Sequence, residues 1–281
     1  MLTLLAGTGY TGGRVLARLP ADAVVGLSRS AIDTDRRVER FDLDSATTLP
    51  LALPSDYAVI YTVPPRGPAP DERLRVFLSL LKPAPTRFVY ISTTGVYGDR
   101  HGETVAEGTP ANPSNERAEV RVAAEEQLAA WASDNDCPLV VLRAPGIYGP
   151  GRLGIERVRA GMPVLDESDA SPGNRIHVDD LATCCIAALS GDIPSGIYNV
   201  GDGDHRSSTW FTSEVARQLG LPSPPRISRA QAEIEFSPQR LSFRSDSRRV
   251  DTTRMREVLG VQPRYANPED GIRASLPSED L

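Results

Sequence analysis

The first residues whose types and spacing indicate a chemical role are three glycines near the start of the sequence. They stand in Ala6-Gly7-Thr8-Gly9-Tyr10-Thr11-Gly12-Gly13, which has the spacing G-x-G-x-x-G, after an apolar run and before a helical pattern. Between a strand and a helix, such glycines allow a tight turn, close approach of a pyrophosphate and close packing. Phosphates would then meet the free N–H groups of the helix N-terminus. The loop predicts a dinucleotide site contacted by Gly7, Gly9, Tyr10, Thr11 and Gly12, with a plain glycine turn as the alternative.

The end of the second predicted strand bears on the choice of dinucleotide. It reads Gly26-Leu27-Ser28-Arg29-Ser30, where an NAD site would be expected to carry a carboxylate for the adenosine ribose. Ser28 does not repel a 2'-phosphate, and Arg29 could pair with one while stacking on adenine. These two residues favour NADP over NAD. The alternative is that Arg29 is a surface residue that contacts nothing. Asp42 and Leu43, further along, could cover the adenine.

The basic residues are almost entirely arginine. Of the 31 lysines and arginines, Lys82 is the one lysine, so a mechanism that needs a lysine must use it. A formal charge of -6 argues against nucleic acid or an anionic membrane as the main partner. The start of the sequence lacks a basic leader, and no apolar run approaches the length of a membrane span. The three cysteines have no metal-ligand spacing, so we expect no metal site and a cytoplasmic protein.

Short apolar runs alternate with helical patterns over the first two thirds of the chain. Strands are predicted at 2–6, 24–27, 57–63, 87–91, 138–142 and 196–200, and helices at 12–18, 71–81, 114–134 and 178–189. This alternation predicts an α/β fold with a Rossmann-like, doubly wound parallel sheet. Thr62 and Val63 end the third strand and are predicted cofactor contacts. Residues 1–150 with 175–200 are assigned to the nucleotide domain, and 151–174 with 201–281 to a smaller C-terminal substrate lobe.

Four further motifs follow the glycine loop. They are Tyr90-Ile91-Ser92-Thr93-Thr94-Gly95-Val96-Tyr97-Gly98, Glu107-Gly108-Thr109-Pro110-Ala111-Asn112-Pro113, Leu142-Arg143-Ala144-Pro145-Gly146-Ile147-Tyr148-Gly149-Pro150-Gly151 and Asn174-Arg175-Ile176-His177-Val178-Asp179-Asp180-Leu181-Ala182. In order and spacing they resemble the extended short-chain dehydrogenase/reductases, the NAD-dependent epimerase/dehydratase family. The resemblance implies a nicotinamide cofactor and places Ala144, Pro145 and Ile147 beside the nicotinamide.

The same resemblance reveals a departure. The family has a tyrosine four residues before a lysine on the helix after the second motif; the tyrosine moves the substrate proton and the lysine holds the ribose. Alignment on Ala124-Glu125-Glu126-Gln127-Leu128 puts Arg117 and Arg121 at these positions. Arg121 could bind the ribose, whereas the guanidinium of Arg117 does not exchange protons near neutral pH and could bind an anionic group. The chain therefore resembles an atypical branch that lacks the Tyr-x-x-x-Lys pair.

Hydroxyl groups near the expected nicotinamide are the remaining catalytic candidates. Thr93 stands where the family has a serine or threonine that hydrogen-bonds the reacting oxygen. Tyr97 and Tyr148 could each supply a phenol, although packing is at least as good an interpretation. His177 with Asp179 is interpreted as ordering the start of a helix rather than as an acid–base pair.

Two functions follow from these residues. The first is an NAD(P)-dependent oxidoreductase or epimerase/dehydratase-like enzyme with a non-standard proton donor. Its substrate would be a polar small molecule, either neutral or anionic, such as a sugar derivative. The alternative is a non-catalytic NADP-binding redox sensor or interaction protein. A homodimer is expected through the helix at 114–134, where Val120, Ala124, Ala129 and Trp131 offer apolar surface.

Overall fold

The computed structural model describes residues 1–30, 32, 34–67, 69–235 and 246–277. Its strands are β1 (Leu2–Ala6), β2 (Val24–Ser28), β3 (Val38–Arg40), β4 (Tyr57–Tyr61), β5 (Arg87–Thr93), β6 (Thr104–Val105), β7 (Leu139–Ala144), β8 (Gly146–Tyr148), β9 (Val164–Leu165), β10 (Arg175–His177), β11 (Gly196–Asn199), β12 (Arg226–Ile227) and β13 (Arg249–Val250). Its α-helices are α1 (Tyr10–Arg18), α2 (Glu72–Leu80), α3 (Glu116–Asp134), α4 (Ile155–Arg159), α5 (Val178–Ala187), α6 (Ser208–Gln218), α7 (Arg229–Glu235), α8 (Thr253–Glu257) and α9 (Pro268–Arg273). Short 3₁₀ turns lie at Ala21–Ala23, Thr94–Tyr97 and Glu167–Asp169.

Seven strands form one parallel sheet in the order β11-β7-β5-β4-β1-β2-β3. From β1 the chain winds outwards through β2 and β3, and from β4 it winds outwards in the other direction. Sheets of this kind bind ligands in the crevice at the carboxyl ends of the strands, beside such a reversal. The doubly wound α/β fold expected from the sequence is confirmed.

Successive side chains of the strands enter two cores, one on each face of the sheet. Leu5, Ile60 and Val89 pack on the face covered by α1 and α5. Tyr61 and Tyr90 pack on the opposite face, against α2 and α3. Burial on both faces explains why these strands are continuous apolar runs in the sequence rather than alternating ones.

The predicted strands and helices occur within a few residues of their expected bounds. The short strands outside the parallel sheet and helices α4 and α6 to α9 were not predicted. Within that sheet, β3 is the one strand that the sequence did not predict. It has three residues and lies at the edge of the sheet, beside β2. Its residues are partly or fully exposed, so its short segment carries no apolar run that could mark it as a strand.

A smaller group of elements packs beside the carboxyl ends of the sheet. Tyr148, Val215 and Ile272 join α4, α6 and α9 in a separate apolar cluster. Met255 and Leu259 belong instead to the core shared by α1 and α5, so the region around α8 is tied to the main sheet. The division into two domains stays a prediction. Among the described residues, no helix combines the length and the apolar content of a membrane-spanning helix.

Candidate functional site

A cleft of about 1500 Å³ runs along the carboxyl ends of the strands. The predicted site residues that line it are Gly7, Gly9, Tyr10, Thr11, Ser28, Arg29, Leu43, Thr62, Val63, Thr93, Arg117, Arg121, Ala144, Pro145 and Ile147. Its volume exceeds the roughly 300–1,000 Å³ of an ordinary ligand pocket, which leaves room for two ligands side by side. A second cavity of about 780 Å³ lies beside α3, β7 and β11, and none of the predicted site residues lines it.

The three glycines of the loop are required for different reasons. A Cβ on Gly12 would lie 1.9 Å from the carbonyl oxygen of Gly7, and Gly7 has a φ of +91°. Both positions therefore serve the packing of the loop itself, which explains why Gly12 does not line the cleft. A Cβ on Gly9 would meet nothing within 4 Å. The open space at the N-terminus of α1 is therefore next to Gly9, where the unpaired N–H groups of a helix can receive an anion.

Two side-chain hydrogen bonds join this loop to neighbouring elements. Thr62 donates its hydroxyl to the carbonyl oxygen of Gly7 at 2.8 Å. Tyr10 donates its hydroxyl to the carbonyl oxygen of Pro150 at 3.1 Å, and burial raises the pKa of this phenol. The guanidinium carbon of Arg152 lies 3.8 Å from the centre of the Tyr10 ring. The loop is thus joined to the segment that follows β8, and Arg152 reaches the cleft above it.

The end of the cleft beyond β2, called the β2 end, carries Ser28, Arg29 and Leu43. Arg29 is exposed, and Leu43 is buried with its surface toward the cleft. Asp42 does not line the cleft, because its carboxylate accepts a hydrogen bond from the N–H of Asp44 and orders the turn after β3. Of the two residues expected to cover the adenine, Leu43 therefore lines the cleft and Asp42 does not.

The opposite end of the cleft is formed by β5, β7 and the first turns of α3. The hydroxyl oxygen of Thr93 accepts a hydrogen bond from the N–H of Gly95 at 3.1 Å, which leaves the hydroxyl hydrogen to donate. Arg121 donates from Nη1 to the carbonyl oxygen of Ile91 at 2.8 Å. Arg117, one turn earlier on α3, is exposed and lines the same cleft. The helix register predicted from the sequence therefore turns both arginines toward the cleft.

Tyr97 does not lie in the cleft. The 3₁₀ turn at Thr94–Tyr97 directs its side chain inward, where it is fully buried and donates to Oδ1 of Asn199 at 2.7 Å. Burial also raises the pKa of its phenol. Tyr148 is buried as well, edge-on to His177. Of the eight tyrosines, all within the described ranges, Tyr10 alone lines the cleft, so the proposed catalytic use of Tyr97 finds no geometric support.

His177 orders the start of α5, as expected from the sequence. Its Nδ1 accepts the N–H of Asp179 at 3.1 Å, and its Nε2 lies 3.0 Å from the hydroxyl of Ser275. Burial lowers the pKa of this imidazole to about 4. It is therefore neutral near pH 7 and serves as a helix cap.

A buried ion pair links α3 to the sheet, and it was not predicted from the sequence. Arg143 of β7 pairs with Glu125 of α3 at 2.6 Å between Nη2 and Oε2, with their side chains 6% and 10% exposed. Ser92, next to Thr93, donates its hydroxyl to the same carboxylate. A glutamate on a helix and an arginine in a strand carry no pattern that distinguishes a buried pair from two surface charges.

Two further residues that were not predicted from the sequence lie in the cleft, near the first turns of α3. Asp246 accepts the hydroxyl of Ser114 at 2.8 Å and pairs with Arg248 at 3.1 Å. Arg248 also donates to the carbonyl oxygen of Gly98 at 2.5 Å. Both line the cleft and come from the last third of the chain, which contains no motif that could have indicated them.

Comparisons with known proteins consistently indicate one family. A model described as the NAD dependent epimerase/dehydratase family matches residues 73–201. Protein YeeZ of Escherichia coli (strain K12) is 30% identical over 225 residues, covering 77% of this chain and 74% of YeeZ. UDP-glucose 4-epimerase of Mycolicibacterium smegmatis is 31% identical over 195 residues, covering 65% of this chain and 59% of the enzyme.

Solved structures match the fold of this chain over nearly its whole length. A functionally unknown conserved protein from Silicibacter pomeroyi is 31% identical with a TM-score of 0.79, covering 98% of each chain. MoeE5, in complex with UDP-glucose and NAD, is 22% identical with a TM-score of 0.77, covering 98% of this chain and 97% of MoeE5. At this identity, the similarity to MoeE5 is a similarity of fold.

Proposed function

Because the chain belongs to the NAD-dependent epimerase/dehydratase family, we propose that it binds NADP and transfers hydride between this cofactor and a polar small molecule. One observation carries the proposal: a single cleft holds the open glycine loop, Thr93 and Arg121. NAD is the second choice of cofactor. The three cysteines are free thiols, which supports a reducing compartment, the cytoplasm, as the place of action.

The residues of the cleft fit a nicotinamide dinucleotide. The N-terminus of α1 beside Gly9 would hold the pyrophosphate, and Leu43 would contact the adenine. Arg121 would bind the nicotinamide ribose, since its bond to Ile91 uses one of its five N–H groups. The nicotinamide, when bound, would accept or supply the hydride. Thr93 would donate a hydrogen bond to the reacting oxygen of the substrate.

The substrate side supports a polar ligand with an anionic group. Arg117 lines the cleft there, as does Arg248 with its partner Asp246, and guanidinium groups bind carboxylates and phosphates in a forked geometry. Relatives of this chain are named UDP-glucose 4-epimerase and dTDP-glucose 4,6-dehydratase. We therefore propose a sugar derivative as the substrate class.

The alternative is an NADP-binding sensor without turnover. The observation that favours it is the departure from the usual catalytic pair: Arg117 replaces the tyrosine, and Tyr97 is buried away from the cleft. Tyr10, the one tyrosine in the cleft, donates its hydroxyl to Pro150. A proton would have to move through another group.

Tritium transfer separates the two functions. The chain is mixed with NADPH tritiated at the hydride position and a metabolite extract, and the products are examined for label. Labelled product with the parent chain and none with Gly9→Val supports an enzyme. Binding of NADPH without any transfer supports the sensor and overturns the enzyme.

We expect NADPH to bind more tightly than NADH, since Arg29 can pair with the extra phosphate and Ser28 does not repel it. Arg29→Ala should reduce the preference by roughly 1–3 kcal/mol, the contribution of a charged hydrogen bond. Calorimetric titration of both cofactors measures it. Arg37→Ala is the control, because Arg37 is similarly exposed, pairs with Glu39 and does not line the cleft. Equal affinities in the parent chain would contradict the NADP assignment.

Arg117 and Arg121 should have separable effects. Arg121→Ala is expected to weaken NADPH binding by about 10-fold, because it removes donors from the ribose. Arg117→Ala should leave NADPH affinity within about 2-fold and raise the KM of the substrate found by tritium transfer instead. Unchanged binding and KM in both variants would mean that these arginines form a solvated face.

We also expect a homodimer through α3. Val120 and Ala124 are buried in the core of the chain itself, so the apolar surface left for pairing is narrower than the sequence indicates and centres on Ala129. Light scattering at micromolar concentration should give twice the 30.3 kDa of one chain. A mass of one chain would refute the dimer.

A further inference from the structure

Three arginines surround one carboxylate at the β2 end of the cleft. Asp44 lies 3.9 Å from Nη1 of Arg29, 4.0 Å from Nη1 of Arg66 and 3.8 Å from Nε of Arg73. The arginines come from three places: the end of β2, the loop after β4 and the first turn of α2. All three line the cleft, whereas Asp44, with 45% of its side-chain surface exposed, does not.

The N–H groups of this cluster are not satisfied by Asp44. All three distances are longer than a hydrogen bond, so the contacts are purely ionic. Arg73 is anchored by a bond from Nη2 to the carbonyl oxygen of Pro64 at 2.8 Å, and its Nε is buried without a hydrogen-bond partner. Arg29 and Arg66 are mostly exposed, with 63% and 72% of their side-chain surface accessible. Arg29 and Arg66 therefore retain donors for a ligand, and Arg73, whose side chain is 12% exposed, adds its charge.

The charge of the cluster indicates which ligand it could bind. The three guanidinium groups and the Asp44 carboxylate sum to +2, and Asp71, two residues before Arg73, adds one more carboxylate beside them. A ribose hydroxyl requires no such charge, whereas a phosphate monoester carries close to two negative charges and several acceptor oxygens. Without a ligand, Asp44 offsets the mutual repulsion of the three cations.

We propose that Arg29, Arg66 and Arg73 together form one phosphate monoester site and that Asp44 limits its affinity. This inference rests on the proposed function, because the monoester would be the 2'-phosphate of NADP. Arg66 and Arg73 are thus binding residues that act with Arg29. Asp44 is a specificity-determining residue, since its charge opposes the second phosphate and has little influence on a dinucleotide without one.

Calorimetry with two adenosine probes tests the arginines. Adenosine 2',5'-bisphosphate carries the monoester, and adenosine 5'-monophosphate lacks it. Arg66→Ala and Arg73→Gln should each weaken binding of the bisphosphate by about 10-fold or more and change binding of the monophosphate by less than about 2-fold. Arg75→Ala is the matched control, because Arg75 lies two residues along α2 and pairs with Glu72. It should change neither affinity.

Asp44→Asn tests the opposing charge. It should raise the affinity for the bisphosphate by about 3- to 10-fold, since a negative charge a few ångströms from the phosphate is removed, and leave the monophosphate unchanged. Weaker binding of the monophosphate would instead show that Asp44 holds a ribose hydroxyl, which would overturn the inference.

The outcomes distinguish this inference from the proposed function. If the parent chain binds neither probe, the nucleotide site itself is wrong. If it binds the monophosphate but the arginine variants leave the bisphosphate unaffected, the nucleotide site stands and the three-arginine site is refuted. Arg73→Lys is the second variant at this position, for the case that Arg73→Gln does not fold. It retains the charge and should recover part of the bisphosphate affinity if the site is correct, and none if Arg73 has a purely structural role.

Discussion

Replacement of Gly9 by valine should abolish dinucleotide binding and leave a folded chain. A Cβ at this position would meet no protein atom within 4 Å, so the fold has room for the side chain. The same space is where a pyrophosphate would approach the N-terminus of α1, and a branched side chain would fill it. We expect NADPH affinity to fall by more than about 100-fold, or about 2.7 kcal/mol, by calorimetry. The circular dichroism spectrum should not change.

Neighbouring glycines supply the controls for this substitution. Gly13→Ala adds a Cβ 3.5 Å from the carbonyl oxygen of Thr8, an ordinary contact, on a helical residue that does not line the cleft. It should bind NADPH normally and gain roughly 0.5–1 kcal/mol of stability. Gly12→Ala should unfold or distort the loop, since its Cβ would lie 1.9 Å from a backbone oxygen. Normal NADPH binding by Gly9→Val would mean that the loop is only a turn.

The elements of the fold could be predicted because their signals are local. Buried strands such as Tyr57–Tyr61 are continuous apolar runs, and the glycine spacing specifies a strand–loop–helix connection in one short segment. β3 lacks such a signal, since three partly exposed residues at a sheet edge form no pattern. Local motifs therefore predicted six of the seven strands of the parallel sheet, helices α1, α2, α3 and α5, and the glycine loop.

The site was predictable only where it follows the motifs. Thr93 and Arg121 line the cleft because strand ends and helix register fix their positions. Tyr97 belongs to the same motif as Thr93, yet the 3₁₀ turn between them directs it into the core. Arg66 and Arg73 meet Arg29 only after β2, the β4 loop and α2 come together, and proximity of that kind leaves no trace in spacing.

Glu125→Gln should destabilise the chain by about 3–5 kcal/mol, because it leaves the buried guanidinium of Arg143 without its counter-charge. Because the substitution preserves the size of the side chain, the loss of stability would come from the missing charge and not from a cavity. Urea denaturation followed by circular dichroism measures it, and the midpoint should fall without a change in slope. Glu126→Gln is the control, since Glu126 is exposed on the same helix and should change stability by less than about 0.5 kcal/mol.

The ion pair itself need not be the source of stability. Nη1 of Arg143 is buried without a hydrogen-bond partner, and the guanidinium lies 4.8 Å from the centre of the Tyr97 ring, so its desolvation is only partly offset. A chain with Ser92→Ala, Glu125→Leu and Arg143→Met removes every partner at once and should recover most of the stability lost in Glu125→Gln. If the triple variant is no more stable than the single one, the pair contributes net stability, and this pairing would then be what holds α3, with Arg117 and Arg121, against the sheet.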